Sequence, residues 1–231
     1  MTKNGFTNSK NPWLSISATD YEGHMDSEMV GQLSVLNSIF ESALRDTNPK
    51  SLAVLGCGTG NGFEHIDPQI VGTVLGIDIN PEYLSVLRTR YEARLQKLEL
   101  MCADLNAFVV TDDTFDLIYA ALIFEYVDFE SLLGRISKLL KSNGTLAIVL
   151  QLPSHESKMI SDTHFTSLKA LNSIMHLINP ETFDATAARC GLKKTKDMEI
   201  PLKQGKRFLV SYYSKVKYET ESSRSGSGII A

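Results

Sequence analysis

A chain of 231 residues, 43% hydrophobic and 22% charged, has the length for one domain with one sizeable core, and its composition excludes a disordered, fibrous or low-complexity protein. Its 23 Lys and Arg against 27 Asp and Glu give a formal net charge of -4 and a pI near 5.8, so no global positive field is available to hold nucleic acid or an anionic membrane. Three dispersed cysteines, Cys57, Cys102 and Cys190, build neither a disulfide scaffold nor a zinc knuckle; with a polar start and no apolar run of about 20 residues, they fit a soluble protein of the reducing cytoplasm.

The first element is a helix. Met25, Met29, Leu33, Leu36, Phe40 and Leu44 recur at steps of three and four, which predicts an amphipathic helix from Met25 to Leu44 ended by Asn48-Pro49. Upstream, Thr19 and Glu22 have capping-box spacing and Gly23 allows a break, so a short helical turn precedes it. The pattern then changes to SLAVL, a buried strand running into the glycine-dense GCGTGNG. VGTVLGIDI is a second strand, PEYLSVLRTRYEARLQ a helix opened by Pro81, LELMCADL a third strand, FDLIYAAL a fourth and SLLGRISKLL a helix. Asn143-Gly144 turns into a fifth strand, TLAIVLQL. Strands that are apolar throughout and alternate with helices make a parallel sheet covered on both faces, an α/β doubly wound fold. Pro153 to Leu177 interrupts the rhythm as a polar insertion that becomes helical around Leu168, Leu171 and Ile174. After it come a helix over Pro180–Cys190 and two segments, around Lys193–Ile200 and Arg207–Tyr213, that pair as an antiparallel hairpin.

Strand, glycine turn and helix in succession make an anion or nucleotide site, because glycine lets a ligand approach the backbone. Gly56, Gly58 and Gly60 follow G-x-G-x-G, but Asn61 stands where the dinucleotide fingerprint wants its third glycine, and no Lys-Ser or Lys-Thr follows for a triphosphate. About 20 residues on, Asp78 ends the second strand where a carboxylate accepts both ribose hydroxyls. Asp104 ends the third, beside Leu105, where an adenine amino group and ring would lie. Three strand ends thus describe an adenosine.

With these motifs the chain resembles the class I S-adenosylmethionine-dependent methyltransferases: LAVLGCGTG, VLGIDINPEYL, MCADLNAF, DDTFDLIYAALIFEYVD and LLKSNGTLAIVL stand in the family's order and spacing over roughly residues 50–152, and the hairpin extends the match to about 215. The resemblance implies a Rossmann-like seven-stranded sheet of order 3-2-1-4-5-7-6, strand 7 antiparallel, with helices on both faces. It implies an N-terminal helical lid over residues 1–50, a cofactor domain over 51–215 with the insertion 153–178, and a loose tail over 216–231. It places Gly56, Cys57, Gly58 and Gly60 at the methionine end of the cofactor, Asp78 and Ile79 at the ribose, Asp104 and Leu105 at the adenine, and Ala120 at the end of the fourth strand. One position departs: where the family carries Asp or Glu two residues before the first glycine, this chain has Val54. The amino-group contact is then recovered by Tyr21, Glu22 or Asn61, or by carbonyls of the loop.

S-adenosylmethionine is an activated methyl donor, so the protein has chiefly to align a nucleophile; no metal is required. Acceptors in such folds meet the cofactor beyond the carboxyl ends of the strands. Candidate catalytic residues are therefore Tyr21 in the N-terminal cover, Glu125 and Tyr126 after the fourth strand, and His155 in the insertion. No Asn/Asp-Pro-Pro-Tyr/Phe or Pro-Cys motif for nucleobase methylation follows the fourth strand, which with the acidic pI points to a small-molecule acceptor; the expected assembly is a monomer or homodimer. The alternatives are an NAD(P)-dependent Rossmann oxidoreductase and a non-catalytic regulatory protein that binds S-adenosylmethionine. The Lys193–Arg207 basic run reads as a solvated sheet edge defended by lysines, with an anionic substrate patch as the alternative.

Overall fold

The computed structural model describes residues 11–109, 114–154 and 158–216. The apolar runs become β1 (Ser51–Leu55), β2 (Thr73–Asp78), β3 (Leu98–Cys102), β4 (Phe115–Ala121) and β5 (Leu140–Gln151), and the terminal hairpin is β6 (Leu192–Pro201) with β7 (Arg207–Lys215). They form one seven-stranded sheet of order β3-β2-β1-β4-β5-β7-β6 in which β7 runs antiparallel to both of its neighbours. The helices are α1 (Ala18–Asp26), α2 (Gln32–Thr47), α3 (Pro81–Tyr91), α4 (Phe129–Leu139) and α5 (Pro180–Arg189).

Successive strand residues point to opposite faces, so each apolar run serves two cores at once. Leu52, Val54, Val74, Leu117, Tyr119 and Val149 pack with Leu36, Phe40 and Ala43 of α2 and Leu84 and Leu87 of α3. On the other face, Ala53, Leu55, Leu75, Ile77, Ile118 and Ile148 pack with Leu132, Leu133 and Ile136 of α4 and Phe183 and Ala187 of α5. Each such valine, leucine, isoleucine or phenylalanine contributes roughly 1.5–3 kcal/mol on burial. By contrast an exposed ion pair such as Lys196–Asp46, 2.8 Å apart between β6 and α2, is screened by solvent and contributes far less. Packing therefore decides where α2 lies.

Three local features differ from the sequence pattern. The helix expected over Met25–Leu44 is broken at residues 27–31: Ser27 ends α1, its hydroxyl donating to His24 O at 2.8 Å, and Gly31, at φ 59°, starts α2. Gly23 lies inside α1 and is not the break. After the glycine loop comes only the 3-10 turn Phe63–His65; Gly60 and Gly62 are left-handed at φ 89° and Pro68 follows closely, so no run of residues is left to propagate a helix. α2 covers that part of the sheet instead, with Phe40 stacked on Phe63 at 6.0 Å. Finally, Leu168 and Leu171 of the insertion, three apart and buried, sit on a 3-10 helix, Thr166–Ser173, whose three-residue turn aligns that spacing.

A third, smaller cluster joins Ile16, Ile160, Leu168, Leu171 and Met175 with Trp13, Tyr21 and Tyr126. It unites the N-terminal segment and the insertion into a roof over the carboxyl ends of β1, β4 and β5. Among the described residues no helix is long and apolar enough to cross a membrane.

Candidate active site

A cavity lies between that roof and the carboxyl ends of the strands, lined on one side by Gly56, Gly58, Asp78 and Leu105 and on the other by Leu122, Gln151, Met159 and Lys206. The β1 loop is pinned to β2, since the Gly56 and Cys57 N–H groups both donate to Ile77 O, at 2.8 and 3.1 Å. Gly56 and Gly58 have φ of 67° and 52°, the left-handed region that costs other residues energy. Both also lack room: a Cβ on Gly56 would stand 3.0 Å from Ile123 Cδ1, and one on Gly58 3.3 Å from the Tyr21 ring and hydroxyl.

Asp78 is buried at the end of β2, where Oδ2 accepts the Gly58 N–H and Oδ1 the Asn80 N–H, each at 2.9 Å. Burial pushes its carboxyl above the usual range, and the backbone N–H bonds counteract this by favouring the charged form. Asn80 caps α3 and its side-chain amide donates to Trp13 O at 2.9 Å and Ile16 O at 3.1 Å, so the strand end that holds Asp78 also holds the roof. Asp104 Oδ1 accepts the Asn106 N–H at 2.8 Å, while Arg135 of α4 donates to Leu105 O at 2.6 Å and fixes that loop.

Above these groups Tyr21 stacks on Tyr83 at 5.1 Å, and Trp13 meets Tyr21 and Tyr126 edge-on at 6.1 and 5.2 Å. Burial, then the Asp78 charge, raises the Tyr21 phenol far above its ordinary value, so it stays neutral. Trp13 and Tyr83 line the cavity, and the buried indole N–H of Trp13 has no hydrogen-bond partner among the described residues. Such buried donors are costly unless a ligand or water satisfies them.

Across the cavity, Leu122 follows β4 at φ 53° with its N–H donating to Val149 O at 2.9 Å. A leucine held there stores about 1–3 kcal/mol. Next to it, Glu125 is fully buried: Oε1 accepts the Gln151 N–H at 2.8 Å and Oε2 has no partner. Burial pushes its carboxyl up to about 7. Three polar contacts fasten the roof: Ser167 to Asp20, Thr163 Oγ1 to His24 Nδ1 at 2.8 Å, and Gln151 Nε2 to Met159 O at 3.0 Å.

Of the residues singled out from the sequence, Tyr21, Tyr126, Gly56, Gly58, Asp78, Ile79, Asp104 and Leu105 line this cavity. Cys57 and Ala120 are packed in the two cores, with Ala121 and Leu122 at the wall in place of Ala120. Gly60 faces Leu87 and Tyr91. Glu125 stands behind the wall, tied to Gln151, and His155 lies outside the described residues. Of the three groups named to offset Val54, Glu22 is held by Arg90 and by Thr59 Oγ1 at 2.5 Å, and Asn61 bonds Asn37 and Leu33; Tyr21 is the one at the cavity. His24, Gln32, Gln151 and Lys206 also line it. Their spacing in the chain carries no common signal, because separate loops bring them together.

Residues 53–148 match the family model described as a methyltransferase domain. That match covers about two fifths of the chain and takes in the glycine loop, Asp78 and Asp104. An uncharacterized protein of Methanocaldococcus jannaschii is 27% identical over 139 residues, 60% of this chain and 54% of that relative. An uncharacterized methyltransferase-like protein of Schizosaccharomyces pombe is 28% identical over 95 residues, 41% of this chain and 36% of the relative. The chain thus spans about half, or less, of the length of these curated relatives. Among solved structures, the N-methyltransferase NodS of Bradyrhizobium japonicum with S-adenosyl-L-homocysteine superposes with a TM-score of 0.63 at 14% identity, covering 87% of this chain and 98% of that one. At this identity the likeness establishes the fold, the Rossmann-like methyltransferase fold.

Proposed function

We propose that the chain is an S-adenosylmethionine-dependent methyltransferase acting on a small-molecule acceptor. The observation that carries this is the buried Asp78 carboxylate walling a cavity that continues past Leu122 into an apolar chamber closed by the roof. The residues present fit the cofactor: Asp78 and Ile79 would take the ribose, Asp104 and Leu105 the adenine, and Gly56, Gly58 and Tyr21 the methionine part. The Trp13 indole N–H, without a partner among the described residues, lies beside the same cavity. When bound, the cofactor supplies a sulfonium-activated methyl group.

The chain's own contribution is to place and to enclose. The strained Leu122 and the Tyr126 ring shape the wall where an acceptor enters, and Trp13, Tyr21, Leu168 and Leu171 exclude water above it. Neither tyrosine serves as a base at neutral pH, since burial raises both phenols. The roof encloses the acceptor side of the cavity, which suits a small molecule, and the net charge of -4 disfavours a polyanion. The dispersed free thiols suit a reducing compartment, the cytoplasm.

Calorimetric titration with S-adenosylhomocysteine and, separately, NAD tests the reading. We expect saturable binding of S-adenosylhomocysteine alone; binding of NAD without it would contradict the proposal. Transfer of labelled methyl from S-adenosylmethionine to a member of a metabolite panel then tests the acceptor class. Labelling of RNA or protein and of no metabolite would overturn it.

A further inference from the structure

Three of the six basic residues in the Lys193–Arg207 run of the terminal hairpin are neutralised by carboxylates outside the cavity. Lys194 pairs with Asp184 and Asp197, Lys196 with Asp46, Arg207 with Glu199, and Lys203 donates to Glu28 O. Lys206 differs. It is 4% exposed, lines the cavity, and its ammonium donates to Met159 O at 2.8 Å; among the described residues no carboxylate pairs with it. One carbonyl satisfies one of three N–H donors. A buried ammonium without a counter-charge is expensive, and the cost recedes when an anion arrives.

Resting on the methyltransferase reading, we propose that Lys206 anchors a carboxylate carried by the methyl acceptor, at the end of the cavity away from the cofactor. The local charge selects a monoanion. His24 shares the cavity, but burial, then repulsion from Lys206, lowers its pKa to about 4, so it is neutral at pH 7. Burial alone lowers the Lys206 amine to about 8 and leaves it mostly charged. One positive charge therefore faces the ligand. Gln151, which donates to the same Met159 carbonyl, and Gln32, buried at the start of α2, add neutral polar groups. Met159, Ile160, Leu168, Leu171 and Met175 make the adjoining wall apolar, so the body of the acceptor is hydrophobic.

Sheet order separates this anchor from the reacting end. Leu152 N donates to Arg207 O, so Lys206 enters β7 beside the carboxyl end of β5. Strands lie about 4.8 Å apart, and β1-β4-β5-β7 puts the Lys206 backbone about 14 Å from the Gly56 loop and about 10 Å from β4. The carboxylate is thus a handle that sets the acceptor's direction, and the methylated atom lies elsewhere on it.

Acids and their primary amides of equal shape provide the test: phenylacetate, 3-phenylpropionate and hexanoate against phenylacetamide, 3-phenylpropionamide and hexanamide. They are titrated at pH 7 into protein saturated with S-adenosylhomocysteine, for the wild type, Lys206→Met and Lys206→Arg. We expect at least one acid to bind at least tenfold tighter than its amide, the preference to vanish in Lys206→Met and to survive in part in Lys206→Arg. S-adenosylhomocysteine affinity should stay within twofold in all three. An acid preference absent from the wild type, or unchanged in Lys206→Met, overturns the proposal. The wild-type comparison stands even where a variant fails to fold. Failure of S-adenosylhomocysteine to bind would instead overturn the methyltransferase reading, with the acid and amide titrations repeated on the free protein deciding the anchor by themselves.

Discussion

The two halves of the cavity are built by different means. At the ends of β1, β2 and β3 the groups stand on the last residue of a strand or within three residues of it, Asp78, Gly56, Gly58 and Asp104, so backbone hydrogen bonds close to the sheet fix them. At the ends of β4, β5 and β7 the wall comes from α1, the insertion and the start of β7, and side-chain contacts such as His24–Thr163 and Lys206–Met159 join them. The first half is therefore rigid and suited to one constant ligand. The second is assembled by packing and can be altered without disturbing the sheet.

The largest effect that sharpens this contrast is expected at Gly58. Gly58→Val combines φ 52° with a Cβ 3.3 Å from Tyr21, a strain of about 1–3 kcal/mol before any clash with a ligand. S-adenosylhomocysteine binding should become undetectable by calorimetry; retained affinity would show that the loop does not carry the cofactor. Asp78→Ala should weaken the same binding by about 1–3 kcal/mol, through loss of charge-assisted hydrogen bonds. Unchanged affinity would mean that the ribose is held elsewhere.

On the acceptor side, Gly23→Ala should loosen the roof and spare the cofactor. A Cβ there would lie 2.2 Å from Phe165 Cζ, so the Phe165 ring must leave its place against α1, at about 1–3 kcal/mol for overpacking. Limited proteolysis within residues 158–176 should accelerate while S-adenosylhomocysteine affinity stays near wild type. A parallel loss of that affinity would merge the two halves.

The fold and the first half were legible in the sequence, and the second was not. An apolar strand followed at once by glycines or by a terminal aspartate is a local pattern, so GCGTG, GIDIN and CADL are visible in the chain. The helix expected to continue from Met25 was a periodicity carried across Ser27–Gly31, where a left-handed glycine breaks it. Lys206 read as one of several edge lysines, because the contact that distinguishes it, with Met159, spans 47 residues. Glu125 was visible as a polar residue in an apolar run, but its tie to Gln151 depends on β4 lying beside β5.

A separate prediction concerns that carboxylate. Its folded pKa, raised by burial to about 7 from 4.5, means that the native state holds a proton the unfolded chain has released, so stability falls as pH rises from about 4.5 to 7. Glu125→Gln should remove this decline: near wild-type melting at pH 4.5 and a higher melting temperature than wild type at pH 8. Equal pH profiles for the two proteins would place the carboxyl in contact with water or a cation.

The division of the cavity is tested most directly by a crystal structure of the complex with S-adenosylhomocysteine. The account predicts ribose hydroxyls on Asp78, the adenine between Asp104 and Leu105, the sulfur between Gly56 and Leu122, and free space from there to Lys206. An adenosine seated under the insertion, or a homocysteine carboxylate on Lys206, would contradict it.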